Sequence, residues 1–324
     1  YIAELAPRHK RGALVSINQL FVTIGILASF IIGYIYSGKQ LWREMFYVAA
    51  IPASLQFLCM LFFPESPRFN VKKGKEAKAL TTLVNLRANE NHAKLEIDHI
   101  KRNISTKAAT WKELFTPKMH SRLIAGLGLT TFQQITGINV IIYYAPTLFK
   151  MFGLSSDKAA LEASMSIGIV NIIFTILAIY LVDKLGRKPL LYFGISGLTI
   201  ALFVLGFDLL VFSKGSVASI LAICTLFLYI ASFAYSLGPI GWLLNSEIYP
   251  LHIRGRGMGA AVGVNWLANF ISTSTFLSLV ALLGESFTFL LYALLGVCAL
   301  LFVWLYVPET NGKSLEEIED IFYK

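Results

Sequence analysis

Long apolar runs separated by short charged segments dominate the hydrophobic pattern of this sequence. Crossing a bilayer takes about 20 residues, and eight runs approach or exceed that length. They cover residues 13–36, 45–63, 121–149, 160–182, 189–213, 216–246, 257–284 and 286–307. The runs lack the period-2 alternation of barrel strands, and lipid admits only helices or closed barrels. The sequence therefore predicts an all-α polytopic membrane protein.

Composition agrees with that class. Hydrophobic residues make up 56% of the chain and charged residues 15%, whereas a soluble domain carries about 25% charged residues. The three cysteines, Cys59, Cys224 and Cys298, lie inside predicted helices without metal or redox spacing, which indicates a packing role. The sequence shows no nucleotide loop, metal cluster or catalytic triad, so it predicts neither an enzyme nor a bound cofactor.

The basic residues predict the orientation. If both ends and every second loop face the cytoplasm, 23 of the 28 Lys and Arg residues lie on that side. This bias follows the positive-inside rule and predicts a multi-pass protein of the plasma (inner) membrane with both ends cytoplasmic. Basic segments beside anionic lipid account for the net charge of +9, so no nucleic-acid partner is predicted.

A nine-residue pattern occurs twice in the chain. Residues 4–12 read ELAPRHKRG and residues 247–255 read EIYPLHIRG, so both have Glu, two residues, Pro, three residues and Arg-Gly. Two apolar runs and a Pro-Glu pair follow each copy, at offsets of 243 for the motif and 244 for the pair. Matching landmarks around an even number of helices indicate two parallel repeats.

The repeat predicts the domain organisation. Only the last two helices of the first repeat precede the Pro-Glu pair, so we expect the chain to be N-terminally truncated. The predicted parts are the end of an N-terminal bundle (1–64), a cytoplasmic helical linker (65–120), a six-helix C-terminal bundle (121–308) and a cytoplasmic tail (309–324).

Motifs along the whole chain carry a resemblance to a known family. In order they read ELAPRHKRG, PESPRF, FQQITGINVIIYYAP, DKLGRKP, GPIGW, SEIYPLHIRGRG, NWLANF and PETNGKSLEEIE. With these motifs the sequence resembles the sugar porter family of the major facilitator superfamily. The resemblance implies the major facilitator fold, twelve helices in two bundles, of which about eight are present here.

Uncharged polar side chains interrupt the apolar runs. Gln133, Gln134 and Asn139 fall near the centre of one run, and Gly137 permits a helix break among them. Amides in lipid are costly when unpaired, so they must face a protein interior or an aqueous cavity. Amides both donate and accept, and aromatic faces cover apolar C–H groups, which suits a neutral polyol. Helix–helix hydrogen bonding is the competing interpretation for each amide.

The resemblance assigns roles to individual positions. It places sugar contacts at Gln19, Gln133, Gln134, Asn139, Asn171, Phe233, Trp242, Asn265 and Trp266, and closure of the outer side at Tyr143 and Tyr144. Charged groups at helix ends are costly unless paired. The resemblance implies a cytoplasmic salt-bridge gate formed by Glu4, Arg11, Glu65, Arg68, Asp183, Arg187, Glu247, Arg254 and Glu309.

The function expected from these features is alternating-access transport of a monosaccharide by a monomer in the lipid bilayer. A hexose such as glucose or galactose is favoured, because position 265 is Asn, whereas the xylose-type member of the family has Gln. Proton symport is favoured over facilitated diffusion, and a proton is then a second partner. A non-transporting sugar sensor, a transporter of another polyol such as inositol, and an inactive truncated remnant stay open as alternatives.

Overall fold

The computed structural model describes residues 1–7, 11–37, 41–87, 89–103, 110–154, 156–211, 216–250, 252–313 and 318. Within these ranges the chain forms sixteen helices. They are α1 (Ile2–Leu5), α2 (Arg11–Tyr36), α3 (Trp42–Phe62), α4 (Pro67–Lys72), α5 (Glu76–Arg87), α6 (Glu90–Asn103), α7 (Trp111–Leu114), α8 (Pro117–Ile135), α9 (Ile138–Tyr143), α10 (Ala145–Met151), α11 (Asp157–Leu185), α12 (Arg187–Val211), α13 (Ser216–Ala234), α14 (Leu237–Ile248), α15 (Arg254–Leu283) and α16 (Glu285–Tyr306).

Seven segments of the described chain are long and apolar enough to cross a membrane. They are Gly12–Tyr36, Trp42–Phe62, Asp157–Leu185, Arg187–Val211, Ala218–Ile248, Arg254–Leu283 and Glu285–Tyr306. The predicted all-α membrane fold is therefore confirmed. The eighth predicted run, 121–149, is divided among α8, α9 and α10, because its polar centre and Pro146 interrupt it.

Two helix breaks lie inside the predicted apolar runs. The first separates α8 from α9 at Gly137, which adopts a left-handed backbone with φ of 98°. The second separates α13 from α14 at Tyr235 and Ser236. Pro239 follows closely and has no N–H to continue the helical ladder, so the carbonyl four residues earlier loses its usual donor.

One core joins the helices from α8 to α16. Leu129, Ile141, Leu198, Leu244 and Phe276 are buried in this cluster. Helix α12 packs against α13 and α16, and α8 packs against α15, while α2 lies along α11. By contrast, no residue of α3 is buried within the described chain.

The linker forms a small cluster of its own. Helices α4, α5 and α6 pack on one another around Ala79, Leu83, Ala93 and Ile97. Arg87 of α5 pairs with Glu96 of α6 at 3.0 Å and donates to the carbonyl of Leu5 at 3.1 Å. The helical character predicted for this segment is present, and the contact with Leu5 ties the linker to the end of α1.

We predict that Gly137→Ala destabilises the fold. A Cβ at this position would lie 3.3 Å from the ring of Tyr292, and a left-handed backbone costs a non-glycine residue about 1–2 kcal/mol. The melting temperature in detergent should fall. Gly263→Ala is the matched control, because it lies within α15 with no neighbouring atom within 4 Å of an added Cβ. Equal melting temperatures for the two variants would contradict the prediction.

Candidate substrate site and the charged cluster

The side chain of Gln133 joins the two helix breaks. It lies in the last turn of α8, and its Nε2 donates to the carbonyls of Leu237 at 2.8 Å and Gly238 at 3.1 Å. Those carbonyls open α14, directly after the second break. Within lipid no water would satisfy backbone groups at such a point. The Gln133 amide therefore holds the start of α14 against the end of α8.

An amide network extends from Gln133 to α15 and α9. Asn265 Nδ2 donates to Gln133 Oε1 at 2.8 Å, and Gln134 Nε2 donates to Asn265 Oδ1 at 3.0 Å. Asn139 Nδ2 donates to Gln134 Oε1 at 2.7 Å. Three predicted sugar-contacting positions thus meet Gln133 in one network, and we call these four residues the amide network.

The members of the amide network differ in how much hydrogen-bonding capacity remains. Both N–H groups of Gln133 are used within the protein, and Asn265 Nδ2 donates twice, the second time to the carbonyl of Thr130 at 3.2 Å. Gln134 and Asn139 each donate one such bond in the network, although an amide carries two N–H donors. The geometry therefore assigns Gln133 a bracing role and leaves free donors on Gln134 and Asn139.

Other predicted contacts surround the second break. A Cβ built on Gly238 would lie 3.3 Å from the Phe233 ring and 3.5 Å from Gln19 Nε2. Gln19 belongs to α2, so a polar group from the first repeat reaches the break in the second. Asn171 is buried in α11, and Trp242 is half-buried in α14. The roles of these four residues in sugar contact stay predictions.

Two of the predicted aromatic residues lie at the surface of the described chain. Trp266 is 58% exposed and Tyr143 is 55% exposed. Trp266 follows Asn265 in α15, and neighbouring residues on a helix point in directions about 100° apart. Tyr144 differs from Tyr143, since its hydroxyl donates to the carbonyl of Thr273 at 3.3 Å and its ring packs on Phe276. Tyr144 therefore links the α9–α10 junction to α15.

Sequence reasoning did not single out two residues that brace the same region. The hydroxyl of Tyr229 donates to the carbonyl of Thr136 at 3.0 Å, beside the first break. Asn245 Nδ2 donates to the carbonyl of Gly241 at 2.8 Å and approaches that of Gly126 at 3.4 Å. Asn245 is a polar residue in an apolar run, so the sequence could have indicated that its amide pairs within the protein. Nothing in the sequence distinguished Tyr229 from other membrane-helix tyrosines.

A charged cluster lies where α11 and α14 end and α12 begins, and we call this the charged end. Arg187 contacts Glu247 at 3.1 Å, Asp183 at 3.2 Å and Asn311 at 2.8 Å. The Arg187 and Glu247 side chains are almost fully buried, at 5% and 6% exposure. Thr310 donates to the second oxygen of Glu247 at 2.7 Å. Both charges are therefore paired and hydrogen-bonded, as burial requires.

At the charged end, the carboxylates of Glu309 and Asp183 also accept hydrogen bonds from helix N-termini. Glu309 accepts from the backbone N–H groups of Arg187 at 3.1 Å and Lys188 at 2.8 Å, at the N-terminus of α12. Asp183 accepts from the backbone N–H of Ala13 at 3.2 Å, near the N-terminus of α2. An anion at a helix N-terminus is favoured by the helix dipole. Asp183 thereby connects α2 with the helices of the second repeat.

The structure brings together four of the nine predicted gate residues, namely Asp183, Arg187, Glu247 and Glu309. Arg254 begins α15 and donates to the carbonyl of Tyr249 at 3.2 Å. Glu4 and Arg68 are half-buried in α1 and α4, Glu65 is exposed, and the Arg11 side chain lies outside the described residues. Thr310 and Asn311 were not among the predicted gate residues, although both belong to the PETNGKS motif.

Comparisons with known proteins give one consistent result. The family model described as Sugar (and other) transporter matches residues 1–322. YwtG, a candidate metabolite transport protein of Bacillus subtilis (strain 168), is 44% identical over 98% of this chain and 69% of its own length. The D-xylose transporter of Levilactobacillus brevis is 42% identical over 98% of this chain and 70% of its own length.

Solved structures show the same likeness. The proton:xylose symporter XylE bound to 6-bromo-6-deoxy-D-glucose matches with a TM-score of 0.86 and 39% identity over 99% of this chain and 69% of that chain. The inward open conformation of XylE from E. coli matches with a lower TM-score of 0.73, at 36% identity over 99% and 68% of the two chains. The helix arrangement found here is thus nearer to the first structure.

The family match and the likeness to XylE, together with seven membrane-length helices in the described chain, identify an integral multi-pass membrane transporter rather than an enzyme. The chain belongs to the Sugar (and other) transporter family, the sugar porters of the major facilitator superfamily. The membership predicted from the motifs is therefore confirmed.

We predict that Glu247→Ala strongly destabilises the fold. The substitution leaves the buried Arg187 charge without its buried partner, and breaking such a pair typically costs about 3–5 kcal/mol. Thermal melting in detergent measures the loss. Glu90→Ala is the control, because Glu90 pairs with Lys94 on the exposed surface of α6 and should melt like the wild type. A Glu247→Ala protein that melts with the control would show that the pair adds no stability.

Proposed function

We propose that the protein carries a neutral monosaccharide across the membrane by alternating access. The amide network carries this proposal, because it places hydrogen-bonding groups of both kinds at two adjacent helix breaks. Transporters of this general type bind substrate near the membrane midplane, at discontinuous helices. The groups gathered there from α8, α9 and α15 are all uncharged, which favours a substrate rich in hydroxyl groups over an ion.

Within this class we propose a hexose as substrate. Asn265 is one methylene shorter than Gln, so the space beside Gln133 and Gln134 is wider, as an extra hydroxymethyl group requires. The XylE structure with the higher TM-score holds a glucose derivative, so a site of this family can accommodate a six-carbon sugar. D-xylose is the main competitor, because two of the relatives named above are xylose transporters.

We further propose proton symport, since XylE is a proton:xylose symporter. The protein would act as a monomer in the plasma (inner) membrane with both ends cytoplasmic, as the basic residues predict. The charged end would then be the cytoplasmic gate. Its contact between Asp183 and the start of α2 joins the two repeats, and this contact would break when the gate opens.

Transport is tested with labelled sugars in proteoliposomes. We expect uptake of D-glucose or D-galactose that rises with an inward proton gradient and falls when a protonophore removes it. Unlabelled D-xylose and myo-inositol compete in parallel samples to rank the substrate classes. Counterflow without a gradient separates a carrier from a sensor, because a sensor binds label without accumulating it. Binding without counterflow would overturn the transport proposal.

We predict that Gln134→Ala lowers the affinity for sugar, and with it uptake, while the melting temperature changes little. Gln133→Ala should lower both the affinity and the melting temperature. Gln134 keeps a free donor for substrate, while Gln133 holds the second helix break through Leu237 and Gly238. One hydrogen bond to a bound hydroxyl contributes about 0.5–1.5 kcal/mol to the binding free energy, so its loss should lower sugar affinity roughly 2- to 13-fold.

Sugar binding by calorimetry and melting in detergent give the two readouts. Gln56→Ala in α3 is the matched control, because it removes the same side chain from an exposed position outside the amide network. Unchanged sugar affinity in Gln134→Ala would remove this residue from the site.

We predict that Asn265→Gln shifts selectivity from hexoses towards D-xylose. The longer side chain extends further into the space beside Gln133 and Gln134, and one methylene in a pocket discriminates by about 10- to 200-fold. Competition of both sugars against one labelled substrate measures the ratio of affinities. Asn269→Gln, on the same face of α15 one turn away, is the control. A ratio that does not change would mean that position 265 does not select the sugar.

A further inference from the structure

A buried carboxylate, Asp208, lies at the opposite end of α12 from the charged end. Asp208 is one turn from the last residue of α12, whereas Arg187 begins that helix. It is 2% exposed, and neither carboxylate oxygen has a hydrogen-bond partner in the described part of the chain. A buried ionised carboxylate is normally paired, because desolvation strongly disfavours the isolated charge. Something must therefore neutralise Asp208.

Asp208 faces a cavity of about 80 Å³ between four elements. Met151 and Phe152, at the end of α10, form one wall, and α13 contributes Ser219. The remaining polar lining residue is Glu285, the first residue of α16. A water molecule needs only about 10–15 Å³ of such space, so the cavity can hold water, while the carboxylate oxygens themselves are closed off from it.

The charged groups around this cavity are acidic. Among the described lining residues only Asp208 and Glu285 can carry charge. Lys150 precedes the lining residue Met151 in α10, and it forms an ion pair with Asp157 of α11. Lys214 lies outside the described residues, so its contribution is settled by experiment below. The described lining therefore supplies no countercharge to an ionised Asp208, and burial without a countercharge favours the neutral acid.

The lining residues do not suit a metal ion. Within the described residues no group of three or more His, Cys, Asp or Glu side chains could hold one. Apart from the two acids and the Ser219 hydroxyl, the walls are apolar. Divalent cations need six or more oxygen ligands or tetrahedral nitrogen and sulfur ligands. A proton neutralises the carboxylate without any of these ligands.

We propose that Asp208 is a proton-binding site, held as a neutral carboxylic acid in the cavity between α10, α12, α13 and α16. While protonated, it allows Met151 and Phe152 to pack over it. After loss of the proton the charge requires water, so the cavity must hydrate and α10 must loosen. Helix α10 is the end of the broken α8–α9–α10 segment that carries Gln133, Gln134 and Asn139. One wall of the proton site therefore belongs to the segment that carries three members of the amide network, although the proposal does not depend on sugar transport.

Infrared spectroscopy of the purified full-length protein tests the proposal directly. A protonated carboxylic acid has a carbonyl stretch that is separate from the amide and carboxylate bands and that shifts in D₂O. We expect this band at pH 7 in the wild type and its loss in Asp208→Asn, which keeps the shape and neutrality of the acid. A spectrum of Asp208→Asn identical to the wild type at pH 7 would overturn the proposal.

Two further variants separate the other candidate occupants. In Glu285→Gln the band should persist, and its loss there but not in Asp208→Asn would place the proton on Glu285 instead. In Lys214→Met the band should equal that of the wild type. A band that is absent from the wild type and appears in Lys214→Met would show that the lysine, not a proton, neutralises Asp208.

Thermal melting as a function of pH gives an independent readout. An unfolded aspartate ionises near pH 4, whereas the folded protein keeps the proton, so folded wild type binds more protons than unfolded wild type above that pH. Its stability relative to Asp208→Asn must therefore fall as pH rises. We expect the two proteins to melt together near pH 4 and Asp208→Asn to melt at progressively higher temperature than wild type towards pH 9. A difference that does not vary with pH would overturn the proposal.

Discussion

Satisfying backbone hydrogen bonds where helices are interrupted inside a membrane is the constraint on which the rest of this structure depends. Lipid offers no donors or acceptors, so an interrupted helix must find them within the protein. Gln133 supplies two donors to the carbonyls that open α14, and Tyr229 supplies one to the carbonyl of Thr136. The breaks that a sugar site needs are therefore stable because side chains from other helices satisfy the freed groups.

The amide network stabilises the helix breaks and, in the proposed function, also recognises the substrate, so the two interpretations of the sequence do not exclude each other. Helix–helix hydrogen bonding is real for Gln133, whose donors are fully used inside the protein. Gln134 and Asn139 belong to the same network and keep donors for a ligand. Hydroxyl groups of a sugar can join such a network without a charged partner, since amides offer donors and acceptors together.

In the membrane-length helices charged residues lie towards the helix ends, and at the charged end they are paired or cap a helix. At the charged end Arg187 is held by Glu247 and Asp183, while Glu309 and Asp183 accept from the N-termini of α12 and α2. The charged end therefore holds the N-termini of α12 and α2 in place. Asp208, at the other end of α12, is the exception among the described buried acids because no cation or donor accompanies it there.

The sequence by itself determined the class of the protein and the chemistry of its interior. The length of the apolar runs matches the thickness of a bilayer, which predicted membrane helices. Gly137, among the polar residues of the Gln133–Asn139 segment, predicted a helix break lined by uncharged polar groups. The motif that occurs at both 4–12 and 247–255 indicated two repeats, and the resemblance to the sugar porters implied the fold. The cost of charge at the membrane edge also indicated that Arg187 and Glu247 need partners, although it did not say which residues pair.

Only the tertiary structure decided which groups meet. Gln133 donates to carbonyls more than 100 residues away in α14. Asn265 is part of the amide network, whereas its neighbour Trp266 is largely exposed. The division of one apolar run into α8, α9 and α10, and the isolation of Asp208 beside its cavity, were likewise decided by packing. Periodicity and composition depend on local spacing along the chain. Hydrogen-bond partners and burial depend on contacts between distant segments, which exist only once the helices have packed.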